Sequence, residues 1–541
     1  MKRWFSLGLS ALWLTGLLVG CGETQPKEEQ AQPEGKNLMV QEFDTAEETY
    51  EGTKIDLSQT VVTVNGVAVG TVAEEGVYVA NDIVYYESGK DFTYGEGEEA
   101  DSHTKGEADG HVVVHITKPG QYVLTGTLTL GQIAVDLGDE AAVDPNAVVT
   151  LVLDGVDITC RVAPAVIFYN VYECGQKDEA TATKDVDTSK AGARVIIANN
   201  SNNRVNGSYV ARIYKPGTVE LSEDGKEVVD AKKLHKYDAA FYSKMSMVVQ
   251  GGNNGNGNGV LHIEAANEGL DSELHLTVHG GIIEIESGND GINTNEDNVS
   301  VTTINGGVLN IVVNGATGEG DGIDSNGWLV INGGTVVAQA CGFSGDSGID
   351  SDKGIHINGG TVIATGNMLD RIEDGSQTYV VFTMGQSRKS SFIQLKNKVG
   401  DTVLSQSIAN NYSLLVVSSP DLTPGEYTLW DGEEQLKGVA AQGGMGFGGP
   451  GGQRPEKPEG AEMPEGFDPP EGMEPPTGDR QEPPEGFDGQ RPPEGFDGQR
   501  PEMPEGFAPP ERPGDGNQPV TESEATHVFT IREGANYFQV V

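Results

Sequence analysis

From about Val61 onward, apolar and polar positions alternate in short runs broken by glycine, and helical periodicity is scarce. The stretch HVVVHITKPGQYVLTGTLTLGQIAVDL, His111–Leu137, predicts a strand, a turn at Pro119-Gly120, a strand, a turn and a strand. AVVTLVLDGVDITC (Ala147–Cys160) and PAVIFYNV (Pro164–Val171) continue the pattern, and ARVIIANNSNNRVNG (Ala193–Gly207) ends a strand in an asparagine-rich turn.

Between about His235 and Asn367 the pattern repeats. Paired glycines stand at Gly251-Gly252, Gly280-Gly281, Gly306-Gly307, Gly333-Gly334 and Gly359-Gly360, about 26–29 residues apart. An alternating strand precedes each pair and another follows most of them: WLVI and TVVAQA flank one, GIHI and TVIATG the next. A fixed period built of short strands and glycine turns marks a solenoid. Some 26 residues accommodate one coil of three strands and three turns, so the expected fold is all-β, a right-handed parallel β-helix whose coils bury their inner side chains by stacking.

The pattern changes near Asp370. QTYVVFTM, SSFIQLKN, DTVLSQSI, YSLLVVSS and GEYTLWDG (Gln377–Gly432) predict a small antiparallel β-domain, closed by HVFTIREGANYFQVV (His527–Val541). Between them lies a segment repeating Pro-Glu-Gly-Phe from Pro464, Pro484, Pro493 and Pro504, with Pro-Glu-Gly-Met from Pro470. Too little of it is apolar to build a core, and it reads as a disordered insert, either a spacer or a phenylalanine array for a partner. The expected organisation is a signal segment (1–21), a flexible tether (22–60), the β-helix (61–375), the first part of the β-domain (376–440), the insert (441–524) and the closing strands (525–541).

The N-terminus adds an address. Lys2 and Arg3 precede an apolar run from Trp4 to Leu14, too short for a membrane span, and Leu18-Val19-Gly20-Cys21 resembles the bacterial lipobox. Cys21 is therefore the expected lipidation site, with the protein held on the outer face of the bacterial cell membrane. Charge is lopsided, 35 Lys plus Arg against 82 Asp plus Glu for a net −47. Such a chain repels nucleic acid and attracts divalent cations. Cys160, Cys174 and Cys341 lack zinc-site spacing; a Cys160–Cys174 bridge and buried free thiols are both open.

The chemistry lies in the repeats. NEGLDSE (Asn267–Glu273), NDGINTN (Asn289–Asn295), GDGIDSN (Gly320–Asn326) and DSGIDSD (Asp346–Asp352) align so that one column holds Asp271, Asn293, Asp324 and Asp350. A second holds Glu273, Asn295, Asn326 and Asp352, and a third Glu268, Asp290 and Asp321, with Asp346 one step off. Alternation points the apolar Leu or Ile inward and the acids outward. Stacked coils bring equivalent residues to about 4.8 Å. Two carboxylates at about 5 Å repel by about 3 kcal/mol at an effective dielectric near 20. Calcium, with six to eight oxygen ligands in loose geometry, answers that repulsion; zinc would want His or Cys. The alternative is a hydrated turn ladder in which Asp and Asn serve only as turn formers. The expected metal set is Asp271, Asp290, Asn293, Asp321, Asp324, Asn326, Asp346, Asp350 and Asp352.

Together with ITKPGQYVLTGTL, VTLVLDGVDITC and HKYDAAFYSK, the recurrent GIDSNGWLVINGG units resemble a clostridial family of carbohydrate-binding domains with a calcium-containing right-handed parallel β-helix. The resemblance covers most of Val61–Asn367 and implies binding of plant cell-wall polysaccharides, with a bias to acidic sugars such as polygalacturonate, and kinship to pectate lyases. The insert departs from it. A binding module would bridge uronates through calcium, with Trp328 and Lys353 as candidate sugar contacts; Trp328 serves equally as a packing residue. A lyase would also need Lys353 or Arg371 as base. Lys353 beside Asp350 and Asp352 reads more simply as an ion-pair partner, so no catalytic residue is assigned. A structural adhesion protein is the third reading.

Overall fold

The computed structural model of the chain describes residues 42–441 and 524–541. Cys21, most of the expected tether and the Pro-Glu-Gly-Phe insert lie outside them. The described residues are nearly all β; their one α-helix is the single turn Lys105–Ala108.

Three ladders of parallel strands run through residues 112–366. The first stacks Met247–Gly251, His275–Val278, Val301–Ile304, Trp328–Ile331 and Gly354–Ile357. The second stacks Val260–Ala265, Ile282–Ser287, Val308–Val313, Thr335–Gln339 and Thr361–Gly366. The third stacks Val112–Ile116, Gly131–Asp136, Val166–Asn170, Ala239–Ser243, Glu268–Ser272 and Ile292–Thr294. Within the glycine-pair repeats the register is one residue to one residue, as the alignment requires: Asp271 lies against Asn293, and Trp328 against Gly354. Val61 is not where pairing begins. Thr53–Ser58 already runs parallel to Gly120–Leu128.

Inward columns such as Ile283, Leu309, Val336 and Val362 are sealed from solvent. Each such side chain contributes about 1.5–3 kcal/mol by leaving water. The glycine pairs make the turns that allow stacking. The second glycine of each takes a left-handed backbone, with φ of 95° at Gly281, 89° at Gly307, 83° at Gly334 and 81° at Gly360. The preceding asparagines tie turn to turn: Asn332 Nδ2 donates to Asn305 Oδ1 and Asn358 Nδ2 to Asn332 Oδ1, both at 2.8 Å.

Both ends of the stack are covered. Val77–Ala80 adds antiparallel to Val112–Ile116, and Tyr412–Ser418 adds antiparallel to Thr361–Gly366, so these strand edges are not left open to pairing. The C-terminal strands form a second core around Phe382, Phe529 and Phe538, whose rings lie 5.1–5.7 Å apart. That core includes Val337 and Ile363 from the outer side of the second ladder. The closing strands are in place. Phe529–Ile531 pairs antiparallel with Gly425–Asp431, whereas Ala535–Val540 pairs parallel with Tyr379–Arg388, a departure from the all-antiparallel expectation. The cysteines among the described residues are free thiols; burial pushes Cys160 up to about 12 and Cys174 up to about 11.

Candidate functional site

The Gly-Ile-Asp-Ser motifs form the turns that continue the third ladder. Ile292 bridges Ile323, and the backbone then passes from Gly322 N to Ser347 O at 3.0 Å and from Ile323 N to Gly348 O at 3.2 Å. The motif glycine lets each turn press onto the second ladder: a Cβ on Gly291 would lie 2.1 Å from Ile311 Cγ2. Close approach of this kind is what buries the acids.

Here the outward reading of the acids is corrected. Asp271 is fully buried, and Asp290, Asp321 and Asp346 are 5–8 % exposed. Asp324, Asp350 and Asn326 are half-buried; of the expected set, only Asp352 is exposed. Two stacked turns shield each carboxylate from above and below, which side-chain alternation along one strand cannot reveal.

The lower part of the stack holds a triad that the motif alignment reaches only in part. Asp238, Glu268 and Asp271 each bring a carboxylate oxygen within 4.8 Å of the others, and all three are buried. Asp238 comes from the preceding coil, in HKYDAAFYSK, where no Gly-Ile-Asp signal marks it. Lys236 Nζ sits 2.5 Å from Asp238 Oδ2. Asn293 Nδ2 donates to Glu268 Oε1 at 3.2 Å, and Asn295 Nδ2 to both oxygens of Asp271 at 2.9 Å. Among the described residues, two buried oxygens in this cluster have no hydrogen-bond partner, Glu268 Oε2 and Asn293 Oδ1. An orphaned buried acceptor costs about 1–3 kcal/mol, and more when charged.

Higher up, the carboxylates staple coil to coil. Asp290 Oδ1 accepts from Asp321 N at 2.7 Å, Asp321 Oδ1 from Ser347 N at 2.5 Å and Asp346 Oδ2 from Gly320 N at 2.7 Å. Asp370, which the motif alignment does not include, accepts from Ser351 N at 3.0 Å. These bonds are the turn-forming role; they engage one oxygen each and leave the like charges stacked.

The electrostatics follow from burial first and neighbours second. Burial, with Asp271, Asp238 and Asp290 nearby, holds the Glu268 carboxyl well above its usual range, and burial with Glu273 and Asp238 does the same for Asp271. Burial raises Asp238 while Lys236 pulls it partly back. Asp321 is pushed well up by burial and then by Asp350 and Asp290. Burial is also the largest cause raising Asp290 to about 7 and, with Asp370 and Asp324 adding, Asp350 to about 8.

The remaining candidates lie at the rim. Asn326 Nδ2 donates to Asn295 O at 3.0 Å and Asp297 Oδ1 at 3.1 Å, a turn-to-turn tie. Trp328, half-buried, opens the strand after the acidic turn. Lys353 N donates to Gly327 O at 2.7 Å. Arg371 donates to Lys353 O at 2.7 Å and pairs with Glu373 at 2.6 Å.

The residues fit a hard cation. Three carboxylates and the Asn293 amide oxygen, with Glu268 Oε2 and Asn293 Oδ1 the two orphaned acceptors among them, give an all-oxygen donor set without His or Cys, which suits calcium and not zinc. With Lys236, the triad carries a formal charge of −2, which one divalent ion balances.

A family model described as carbohydrate-binding domain-containing protein matches residues 109–391, which is 283 of the 541 residues. The chain belongs to that family. The matched region contains the whole acidic stack and ends before most of the C-terminal sheet. No curated protein matches the chain. Among solved structures, "Structure of the polysaccharide lyase-like protein from C. thermocellum, Gadolinium derivative" is similar over 60 % of this chain and 98 % of that one, at 20 % identity and a TM-score of 0.32. A likeness that slight has no bearing on fold or function here.

Proposed function

We propose that this carbohydrate-binding protein is a parallel β-helix that binds acidic polysaccharides through calcium held in its acidic stack, and that it does so from the outer face of the bacterial membrane, anchored at Cys21. The observation that carries the reading is the pair of orphaned oxygens, Glu268 Oε2 and Asn293 Oδ1, beside the buried triad. A turn ladder needs Asp and Asn; it does not need a buried carboxylate oxygen with nothing to bond.

Glu268 and Asp271, from one strand of the third ladder, and Asp238, from just before the preceding strand, hold the ion, and the Asp290–Asp321–Asp350 turns extend the same oxygen-rich wall. Calcium would neutralise that wall, and at its half-buried Asp324 and Asp350 edge it would lie within reach of a uronate carboxylate. A protein of charge −47 then holds an anionic chain that it would otherwise repel. Trp328 and Lys353 flank the wall as sugar contacts, one for a ring face and one for a carboxylate. Arg371 is committed to Glu373 and the Lys353 carbonyl, so no residue here is assigned as a lyase base.

Retention of polygalacturonate by the full-length protein tests this. In millimolar calcium, the range of extracellular calcium sites, binding should be at least tenfold tighter than in chelator, with no unsaturated product. Equal retention with and without calcium would overturn the calcium reading; calcium-dependent release of unsaturated sugar would move the protein to the lyases.

A further inference from the structure

The C-terminal sheet presents a second polar platform, on strands other than those of the acidic stack and, apart from Ser391, outside the family-matched residues. Its strands Ser391–Asn397 and Gly425–Asp431 pair antiparallel. Ile393, Leu395, Tyr427 and Leu429 turn into the core, so the alternate positions share the opposite face. On it Trp430 stands directly across from Gln394 on one side and Gln435 on the other. Trp430 Nε1 donates to Thr428 Oγ1 at 2.9 Å, which fixes the indole orientation. Lys396 Nζ lies 4.7 Å from the centre of the ring.

Two features need explaining. Lys398 nearby is paired with Glu426 at 2.8 Å, yet Lys396, in a chain of net charge −47, makes no ion pair among the described residues. The side-chain amides of Gln394 and Gln435 make no hydrogen bonds there either. A half-buried indole held in one orientation, flanked by two uncommitted amides and an unneutralised ammonium, is an array with a flat apolar face and a few convergent polar groups.

We propose that this face is a second, calcium-independent glycan site that takes an acidic pyranose. The sugar's C–H face stacks on the Trp430 indole, its carboxylate meets the Lys396 ammonium, and Gln394 and Gln435 bond its hydroxyls. Lys396 leaves the ring on its flexible stem as the sugar arrives, exchanging a weak cation–π contact for a charge-assisted bond. The site does not depend on the acidic stack. A chain with two separate sites gains avidity on a polymer long enough to reach both.

The test is calorimetric titration of the full-length protein in chelator with a galacturonate trisaccharide, and with its uncharged galactose counterpart. Binding of the acidic sugar should persist in chelator. Trp430→Ala should weaken it at least tenfold and Trp430→Tyr by only a few-fold. Lys396→Gln, a surface change that leaves the core intact, should weaken the acidic sugar and not the neutral one. Absence of acidic-sugar binding in chelator, wild-type binding by Trp430→Ala protein with an unchanged thermal midpoint, or equal losses for both sugars with Lys396→Gln would each overturn the proposal. Failure of the calcium reading shows differently, as affinity that calcium does not increase.

Discussion

Chelation is expected to lower the thermal midpoint strongly at pH 8 and hardly at all at pH 5. In the unfolded chain an aspartate ionises near pH 3.9. In the folded chain without metal, burial and stacked like charges raise Asp290 to about 7 and Asp350 to about 8, and hold Glu268, Asp271 and Asp321 well above their usual range. Between these limits the folded state keeps protons that the unfolded state has released. Stability of the metal-free protein is therefore fully present below about pH 4 and falls as pH rises toward 8. Calcium replaces the protons. At pH 8, calcium at a hundredfold its dissociation constant restores about 2.7 kcal/mol per site; at pH 5, protons already occupy the stack and calcium has little to add. Thermal scans at both pH values, with and without chelator, check this. A chelator effect equal at the two pH values, or metal-free protein that gains stability from pH 5 to pH 8, would contradict it.

Glu268→Gln is expected to stabilise the metal-free protein and to cost it calcium affinity at once. Glutamine keeps the shape, and its oxygen can still accept from Asn293 Nδ2, as Glu268 Oε1 does at 3.2 Å. What disappears is one buried negative charge beside Asp271, Asp238 and Asp290, the neighbours that raise Glu268 after burial itself. Removing a like charge from a crowded buried site relieves repulsion of about 3 kcal/mol per neighbour at 5 Å and a dielectric near 20. With calcium present the same change deletes an anionic ligand from the triad, and a tenfold or larger loss of affinity should follow. Melting in chelator at pH 8 and calcium titration read the two effects separately. A variant less stable than wild type in chelator would show that Glu268 serves packing; unchanged calcium affinity would remove it from the metal site.

Much of this was legible in the repeats. The Asn-Gly-Gly and Gly-Ile-Asp-Ser units place Asp271, Asn293, Asp324 and Asp350 in one column, and the backbone bonds between their turns follow that column. Period and register are properties of the chain itself, so they survive without coordinates. Burial of the acids did not follow, because it comes from the turns above and below. Asp238 and Lys236 escaped because their part of the chain is irregular: Lys236 lies in the excursion Val210–Tyr237, Asp238 directly follows it, and no Gly-Ile-Asp motif marks either. The docking of the C-terminal sheet did leave a signal. Along the outward column of the second ladder, Glu284 and Asn310 give way to Val337 and Ile363, and an outward face that turns apolar in its last coils is a face that something covers.

The measurement that bears most directly on the acidic stack is calcium titration by calorimetry at pH 7, run in two buffers of different ionisation enthalpy. If the stack is a calcium site, the ion displaces protons held by the raised carboxyls, so the protein should bind calcium at or below millimolar concentration and the observed heat should differ between the buffers by an amount corresponding to net proton release. No calcium binding at millimolar concentration, or binding whose heat is the same in both buffers, would mean that the buried aspartates are turn formers and that calcium, if it binds, binds elsewhere.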